Sequence, residues 1–254
     1  MRFSGQVAVI TAGASGIGKA TAEIMASEGG TVVLVDTDEG RLDKVVALLR
    51  DAGGRAHGVR ADALDAAQVQ ATVDRVLREH GRIDILVNAV GGSTIIAKSG
   101  ASVDEMSFAE WQQLIDFNLS GTFLFTHAVV PVMKRQKSGK IVNLASIAGR
   151  GVSRGSSTAY ATAKGGIIAL TRKLSLELGP HGITVNAIAP SLTLSERLLP
   201  HWRERSAEGK AAEIERTPLG RVATPEDQAR VICFLASSDA DFVTGVTIDV
   251  TGGQ

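Results

Sequence analysis

Two side chains four residues apart, Tyr160 and Lys164, have the types and spacing that acid–base chemistry needs. Tyr160 is the only tyrosine, and this spacing on a helix places both side chains on one face, with Cβ atoms about 5–6 Å apart. A tyrosine with a pKa of about 10 is too rarely ionised at neutral pH to be an efficient base, and a nearby ammonium favours the phenolate. The pair predicts a proton donor or acceptor whose pKa is lowered towards neutral pH. A surface pair on an exposed helix is the alternative.

A glycine-rich turn, TAGASGIG at residues 11–18, follows the first apolar run and opens a helix. Glycines in such a turn let a diphosphate approach the free backbone amides of the helix N-terminus. The second apolar run ends at Asp36, whose carboxylate can accept hydrogen bonds from an adenosine ribose and would repel a 2′-phosphate. These residues predict a dinucleotide site that prefers NAD to NADP. A turn that only tightens a corner and an acid that caps a helix are the alternatives.

Alternating strands and helices must hold these side chains in place. Apolar, β-branched runs predict buried strands, and Leu42, Val45, Val46 and Leu49 repeat at helical spacing between two of them. Such alternation requires parallel strands with helical crossovers. We expect a doubly wound α/β fold of about seven strands in a single domain, residues 1–254. The predicted strands are 7–12, 31–36, 83–88, 140–145, 183–189 and 246–250, with a weaker candidate at 55–62.

Helices and loops complete the predicted architecture. Helical patterns cover residues 160–178 and, after a capping threonine and a proline, residues 225–237. Segment 114–133 is apolar nearly all round, so we expect the sheet or another subunit to bury it. Segments 91–105 and 190–220 are irregular and follow strand ends, where open α/β sheets bind ligands. They are the predicted substrate loops.

Composition excludes several classes of protein. The chain has 254 residues, with 27 Lys+Arg and 27 Asp+Glu, so no basic excess is available for nucleic acid. Its single cysteine, Cys233, cannot form an intrachain disulfide or a Cys-rich zinc site. No apolar run approaches the roughly 20 residues that span a bilayer, and the N-terminus makes a poor signal peptide. We therefore expect a cytoplasmic protein without a membrane or nucleic-acid partner.

A series of short motifs, in one order along essentially the whole chain, resembles the pattern of the short-chain dehydrogenases/reductases. No single motif is decisive, but the ordered set is highly specific. The resemblance implies a Rossmann fold and hydride transfer between a nicotinamide dinucleotide and an alcohol or carbonyl carbon. The motifs are TAGASGIG (11–18), Asp36, Asp62, NAVG (88–91), Asn118, NLAS (143–146), YATAK (160–164), NAIAP (186–190), VTG (243–245) and Gly252-Gly253.

The resemblance implies catalytic roles for four residues. Tyr160 matches the general acid/base, Lys164 would lower the pKa of Tyr160 and hold the nicotinamide ribose, and Ser146 would hydrogen-bond the substrate oxygen. Asn118 matches the residue whose backbone carbonyl holds a water that links the lysine to solvent, and a helix-interior asparagine is the alternative. No metal is needed. The implied cofactor-binding residues are Gly13, Ser15, Gly16, Ile17, Gly18, Asp36, Asp62, Asn88 and Thr193, together with Tyr160 and Lys164.

Three positions depart from the family pattern. Ala89 stands where the family has a second asparagine, so the bracing of that strand must come from elsewhere. Ser191 replaces a glycine, so the following loop is expected to lie differently. The interval from Ser146 to Tyr160 is one residue longer than is customary, and Ser156 or its neighbour Ser157 is a weaker candidate for the role of Ser146.

The leading hypothesis is an NAD-dependent oxidoreductase acting on secondary alcohols and ketones, with Tyr160 as general acid/base. An NADP-linked 3-oxoacyl-carrier-protein reductase is the second enzymatic hypothesis, which Asp36 disfavours. A non-catalytic dinucleotide sensor or scaffold is a different class, and it predicts decay of Ser146, Tyr160 or Lys164, which are all present. The resemblance and the apolar segment 114–133 also suggest a homotetramer.

Basic residues near the predicted substrate loops suggest an anionic group on the substrate, because guanidinium groups bind carboxylates and phosphates. Glu196 and Glu204 offset part of this charge. A solvated surface of mixed charge is the alternative interpretation. The basic residues are Arg150, Arg154, Arg197, His201, Arg203 and Arg205.

Overall fold

One sheet of parallel strands organises the protein, whose computed structural model describes residues 1–153 and 155–254. Its strands within these residues are β1 (Val7–Thr11), β2 (Thr31–Asp36), β3 (Arg55–Arg60), β4 (Ile85–Asn88), β5 (Gly139–Leu144), β6 (Ile183–Pro190) and β7 (Thr247–Val250). They lie in the order β3-β2-β1-β4-β5-β6-β7, and every neighbouring pair is parallel. The chain order reverses between β1 and β4, which is where open α/β sheets hold their ligands. The predicted doubly wound fold is confirmed.

Helices cover both faces of this sheet. They are α1 (Gly16–Ser27), α2 (Glu39–Asp51), α3 (Ala66–His80), α4 (Phe108–Ile115), α5 (Gly121–Gln136), α6 (Thr158–Leu178), α7 (Leu199–Glu204), α8 (Ala207–Glu215) and α9 (Pro225–Ala236). Ala8 and Ile10 of β1 pack into one core layer and Val7 and Val9 into the other, because successive side chains of a strand point to opposite faces. In the part of the chain that the structure describes, no helix has the length and apolar character needed to cross a membrane.

The structure departs from the predicted elements in a few places. The strand predicted at 83–88 starts at Ile85, and β1 ends at Thr11 because Ala12 takes a positive φ of 49°. The segment 190–220 is not irregular throughout, since it contains α7 and α8. A π-helical turn at Asp116–Ser120 connects α4 to α5 within segment 114–133.

Segment 114–133 is only partly buried in the single chain. Leu114 and Phe125 are fully buried. Phe123, however, is 51% exposed and stacks on His127 with a centroid separation of 5.6 Å. Packing within the single chain therefore does not bury this segment as expected, and an aromatic surface remains available for contact.

Thr11 supplies the bracing that Ala89 cannot. The Thr11 hydroxyl accepts hydrogen bonds from the backbone amides of Ala89 at 2.9 Å and Val90 at 3.3 Å. It also donates to the Val87 carbonyl at 3.3 Å. A buried side chain of β1 thus holds the end of β4, and the backbone groups there are satisfied without a second asparagine.

Candidate active site

A cleft of about 1300 Å³ opens at the carboxyl ends of the central strands. It is lined by the glycine-rich turn before α1 and by Asp36, Ser146, Tyr160 and Lys164. The sequence-predicted catalytic and dinucleotide-binding motifs therefore meet in one place. The other lining residues used below are Ser15, Ile17, Gly18, Arg41, Asp62, Gly91, Gly92, Ser156, Thr193, Ser195, Glu196, Arg197, Arg205, Glu213 and Arg216.

The three glycines of the turn have different tasks. Gly16 faces the cleft with a φ of +54°, a conformation that favours glycine. Gly18 lets α1 approach the carbonyl of Ala12, where an added Cβ would overlap. A Cβ at Gly13 would lie 3.0 Å from the Leu34 side chain, so this glycine allows close packing, and its cofactor contact stays a prediction.

Glu196 occupies the helix N-terminus that was predicted to hold a diphosphate. Its Oε2 accepts a hydrogen bond from the Gly16 amide at 2.7 Å, and its Oε1 lies 3.6 Å from Lys19 Nζ. Burial opposes ionisation of this carboxyl, but the Gly16 amide and Lys19 outweigh burial and lower the pKa of Glu196. The amide therefore binds an anionic oxygen, as a dinucleotide diphosphate requires.

The two predicted adenosine-site acids both lie at the cleft. Asp36 Oδ2 accepts a hydrogen bond from the Ala14 amide at 3.2 Å, which fixes the end of β2 against the glycine-rich turn. Asp62 is exposed, and its Oδ1 accepts from the Leu64 amide at 2.9 Å. Each carboxylate keeps acceptor capacity for a ligand hydroxyl or amine.

The cleft that Asp36 lines also contains a cation that the sequence motifs do not indicate. Arg41 of α2 lines the same cleft, and its Nε lies 2.9 Å from Asp38 Oδ2. The residues of the turn itself and Thr37 carry no positive charge. Arg41 sits one helical turn beyond them, so folding of α2 is needed to bring it to the cleft.

Ser146, Tyr160 and Lys164 lie together at the cleft. Ser146 follows β5, and its hydroxyl lowers the pKa of Tyr160. Its Oγ also accepts from the Ala148 amide at 3.2 Å. Lys164 is only 2% exposed, and its Nζ donates to the Leu144 carbonyl at 2.7 Å. The hydroxyl pair and the buried ammonium face the cleft from adjacent elements.

Burial dominates the titration of both Tyr160 and Lys164. Burial raises the pKa of Tyr160, and the Ser146 hydroxyl and the charge of Arg197 offset this in part. Burial, with a contribution from Arg197, lowers the pKa of Lys164 to about 7. Lys164 Nζ lies 5.8 Å from the Tyr160 ring centroid and donates to the Leu144 carbonyl, and its expected effect on the phenol stays a prediction.

Asn118 lies in the π-helical turn, and its side chain fixes the loop after β4. Its Oδ1 accepts from the Gly92 amide at 2.9 Å, and its Nδ2 donates to the Gly92 carbonyl at 3.1 Å and the Leu114 carbonyl at 3.0 Å. A Cβ at Gly91 would lie 2.7 Å from Lys164 Nζ and 2.8 Å from Asn118 Oδ1. Asn118 is thus a fully satisfied polar residue beside the lysine, and π-helical turns often occur at functional sites.

Two further predicted residues have structural partners. Asn88 is buried and donates to Thr126 Oγ1 and Asn143 Oδ1, and its cofactor contact stays a prediction. Thr193 lines the cleft and pairs with Ala223 in an isolated bridge.

The extra residue before Tyr160 is accommodated outside the reactive centre. Ser157 caps α6 by accepting from the Tyr160 amide at 3.4 Å, and it does not line the cleft. Ser156 lines the cleft, but its hydroxyl donates to the Ser153 carbonyl at 3.1 Å. Ser146, which contacts Tyr160, remains the stronger candidate.

The basic residues near the cleft differ in their partners. Arg150 pairs with Asp249. Arg205 pairs with Glu213, whereas Arg197 has no acidic partner within residues 1–153 and 155–254. His201 and Arg203 do not line the cleft. Arg154 lies outside the described residues.

One group of side chains away from the cleft has metal-ligand types. Ligand atoms of His57, Glu79 and His80 lie within 4.8 Å of one another. Glu79 is also paired with Arg75 at 2.8 Å. None of these residues lines the cleft, so we assign the group no part in its chemistry.

Comparison with known proteins places the chain in a family. A model of the family described as enoyl-(acyl carrier protein) reductase matches residues 11–254. The short-chain reductase NovJ of Streptomyces niveus is 41% identical over 255 residues, covering 98% of this chain and 93% of its own. The chain belongs to the short-chain dehydrogenase/reductase family. The resemblance carried by the motifs is confirmed.

Two further relatives illustrate the range of this family. Cis-4-hydroxycyclohexanecarboxylate dehydrogenase of Sinomonas cyclohexanicum is 40% identical over 251 residues, covering 99% of this chain and 97% of its own. The crystal structure of a 3-oxoacyl-[acyl-carrier protein] reductase with bound NAD from Brucella melitensis superposes with a TM-score of 0.89 at 33% identity, covering 99% and 93%. The protein is an oxidoreductase of this family acting on CH–OH groups, and the family uses a nicotinamide dinucleotide.

Proposed function

We propose that the protein transfers a hydride between NAD(H) and a secondary alcohol or ketone, with Tyr160 as general acid/base. The observation that carries this proposal is the single cleft that Tyr160, Ser146 and Lys164 share with the glycine-rich turn. A phenol, a hydroxyl and an ammonium at the reactive end of a dinucleotide cleft supply a proton donor and an oxygen-binding donor. A non-catalytic sensor would have no need of these three side chains together.

The residues fit the cofactor and divide the chemistry among them. The bound nicotinamide supplies the hydride donor or acceptor. In oxidation, Tyr160 as phenolate takes the proton of the substrate hydroxyl, and Ser146 donates a hydrogen bond to the same oxygen. In reduction, Tyr160 returns the proton. Lys164, held by the Leu144 carbonyl, lies where Gly91 leaves room for its ammonium, and it would hold the nicotinamide ribose.

NAD is the proposed cofactor because Asp36 stands at the end of β2 with its carboxylate at the cleft. At about 4 Å and an effective dielectric near 20, a 2′-phosphate would be repelled by roughly 4 kcal/mol before solvent screening. The related Brucella melitensis reductase has NAD bound.

The alternative function is an NADP-linked 3-oxoacyl-carrier-protein reductase. The 3-oxoacyl-[acyl-carrier-protein] reductase of Thermotoga maritima is 38% identical over 256 residues. Arg41 lines the cleft and favours a phosphate there, but its pairing with Asp38 offsets the charge. We therefore rank this function second.

The decisive experiment is Tyr160→Phe. The variant keeps the ring and its packing but has no proton to exchange, so turnover should fall by about 10²- to 10⁴-fold while NADH binding stays within about twofold. Secondary alcohols, hydroxy acids and 3-oxoacyl thioesters, each with NAD(H) or NADP(H), serve as substrates at 340 nm. A variant with wild-type kcat would remove Tyr160 from the mechanism.

We also propose a homotetramer. The exposed Phe123, together with Phe108 at 79% and Leu176 at 63% exposure, gives α4, α5 and α6 apolar groups that a second copy could bury. Light scattering tests this, and a monodisperse monomer would contradict it.

A cytoplasmic location is proposed from the state of the one thiol in the chain. Cys233 is a free, buried cysteine, and burial raises its pKa to about 12, so it is inert in a reducing compartment and needs no oxidising one. Fractionation of cells that express the native chain would test the location.

A further inference from the structure

One wall of the cleft carries more positive than negative charge. This wall comprises α7, α8 and the turns that flank them, and it presents Arg197, Arg205 and Arg216 to the cleft. Glu213 is the acid that faces these arginines. Its Oε2 accepts from Arg205 at 3.1 Å and also from Arg216, so two guanidinium groups share one carboxylate oxygen. Glu213 therefore neutralises only one of the three arginine charges.

Arg197 is the unmatched cation of this wall. Within residues 1–153 and 155–254 it makes no ion pair, and its NH1 donates to the Gly91 carbonyl at 3.1 Å. A guanidinium carries five N–H donors in a planar fork, so most of its donors stay free. The neighbouring acid, Glu196, is held by the Gly16 amide and Lys19. Arg197 thus has capacity for an anion that the chain does not supply.

The position of Arg197 places that capacity beside the reactive hydroxyls. A Cβ added at Gly92 would overlap the Arg197 guanidinium, so the group lies on the loop after β4 that also meets Lys164. Its charge acts on both Tyr160 and Lys164. A substrate whose hydroxyl reaches Tyr160 would therefore bring a nearby substituent to Arg197.

We propose that the substrate is a hydroxy or oxo acid and that Arg197 binds its carboxylate. The inference rests on the proposed function and names the substrate class of that site. The planar fork of an arginine matches a carboxylate with two parallel hydrogen bonds, which a lysine cannot reproduce. Arg205 and Arg216, which share Glu213, add a positive field at the same wall that attracts anions to the cleft.

The substrate class is tested with matched acids and esters. The probes are 3-hydroxybutanoate, 4-hydroxycyclohexanecarboxylate and mandelate, each paired with its methyl ester and oxidised with NAD. The chain is compared with Arg197→Met, Arg197→Lys and the control Arg203→Met, because Arg203 lies on α7 but does not line the cleft. For at least one acid, Arg197→Met should lower kcat/KM by about 10- to 100-fold, mainly through KM, and the loss for the matching ester should be at least about fivefold smaller, since it reflects only the field of Arg197 on Tyr160 and Lys164.

Controls separate this inference from the proposed function. Arg197→Lys should restore only part of the lost kcat/KM. Arg203→Met should show none of the loss. A wild-type preference for every ester over its acid, or equal losses for acid and ester in Arg197→Met, would overturn the assignment and leave the oxidoreductase proposal intact.

A binding measurement keeps the test independent of turnover. Calorimetric titration of the three acids into the NADH complex of Tyr160→Phe should show binding that Arg197→Met in the same background weakens about tenfold or more. The absence of Arg197-dependent binding for all three acids would overturn the inference even if turnover confirms Tyr160. If Tyr160→Phe keeps wild-type turnover while acid binding still depends on Arg197, only the proposed function would be refuted.

Discussion

The Glu196 carboxylate lies 2.7 Å from the Gly16 amide, on the helix N-terminus that a dinucleotide diphosphate needs. The Glu196 carboxylate and the diphosphate are both anionic, so the cofactor must displace Glu196 before it can bind this amide. We predict that Glu196→Gln binds NADH more tightly, because one like charge and one competing charge-assisted hydrogen bond are removed. A contribution of about 1–1.5 kcal/mol corresponds to a roughly 5- to 10-fold lower Kd in a fluorescence titration.

The matched control for this prediction is Glu204→Gln. Glu204 is an exposed acid at the end of α7, and it does not line the cleft, so its removal changes net charge equally without opening the amide. Its NADH Kd should stay within about twofold of wild type at moderate ionic strength. Equal tightening in both variants would assign the effect to net charge, and weaker binding in Glu196→Gln would show that the carboxylate supports the site.

Replacing Asp36 should change cofactor preference rather than turnover. Asp36→Ala removes the carboxylate that would face a 2′-phosphate, while Arg41 remains at the cleft. Because the site is open to solvent, we expect the ratio of kcat/KM for NAD to that for NADP to fall by about 10- to 100-fold rather than by the full unscreened repulsion. Asp43→Ala, an exposed acid on α2, serves as the control. A wild-type enzyme that already prefers NADP would refute the cofactor assignment.

The order of elements and the reactive centre are predictable from local patterns. Strands such as β1 read as continuous apolar runs because both of their faces are buried, and Tyr160 and Lys164 meet because helical spacing is a local property. The Glu196–Gly16 contact joins residues 180 positions apart. No pattern near either residue signals it, since it depends on how the segment after β6 packs over the turn.

The π-helical turn at Asp116–Ser120 is a second feature that local sequence patterns do not predict. The sequence marks Asn118 as an unusual polar residue in an apolar segment, and this signal is correct. The extra residue in the turn arises because Asn118 must bond Gly92 across the cleft wall and Leu114 along the helix at once. Such a compromise between tertiary and local hydrogen bonds has no periodic signature.

Ala12 stores backbone strain that glycine would relieve. Its φ of 49° lies in the left-handed region, which costs a residue with a Cβ about 1–2 kcal/mol. Glycine loses more entropy on folding, by roughly 0.5–1 kcal/mol, so Ala12→Gly should raise the free energy of unfolding by about 0.5–1 kcal/mol. Urea denaturation checks this. Ala47→Gly, at an exposed position inside α2, should instead lower stability by about 1 kcal/mol, and equal signs in the two variants would refute the strain argument.

Lys164 should make the stability of the protein depend on pH. Burial lowers its pKa from 10.5 to about 7 in the folded chain, so between these values the unfolded chain binds a proton that the folded chain does not. The free energy of unfolding should therefore rise with pH across this window, by at most about 1.4 kcal/mol per pH unit from this group, and the contribution is constant below and above the window.

Lys164→Met removes the titrating group and should flatten this part of the profile. The variant loses the hydrogen bond to the Leu144 carbonyl at every pH, so the diagnostic quantity is the slope of unfolding free energy against pH and not its absolute value. Urea denaturation at several pH values between about 7.5 and 9.5 gives that slope. Lys173→Met, an exposed lysine on α6, is the control and should keep the wild-type slope. A wild-type slope in Lys164→Met would mean that the buried amine keeps its proton throughout, because only a lysine that deprotonates on folding links stability to pH in this direction.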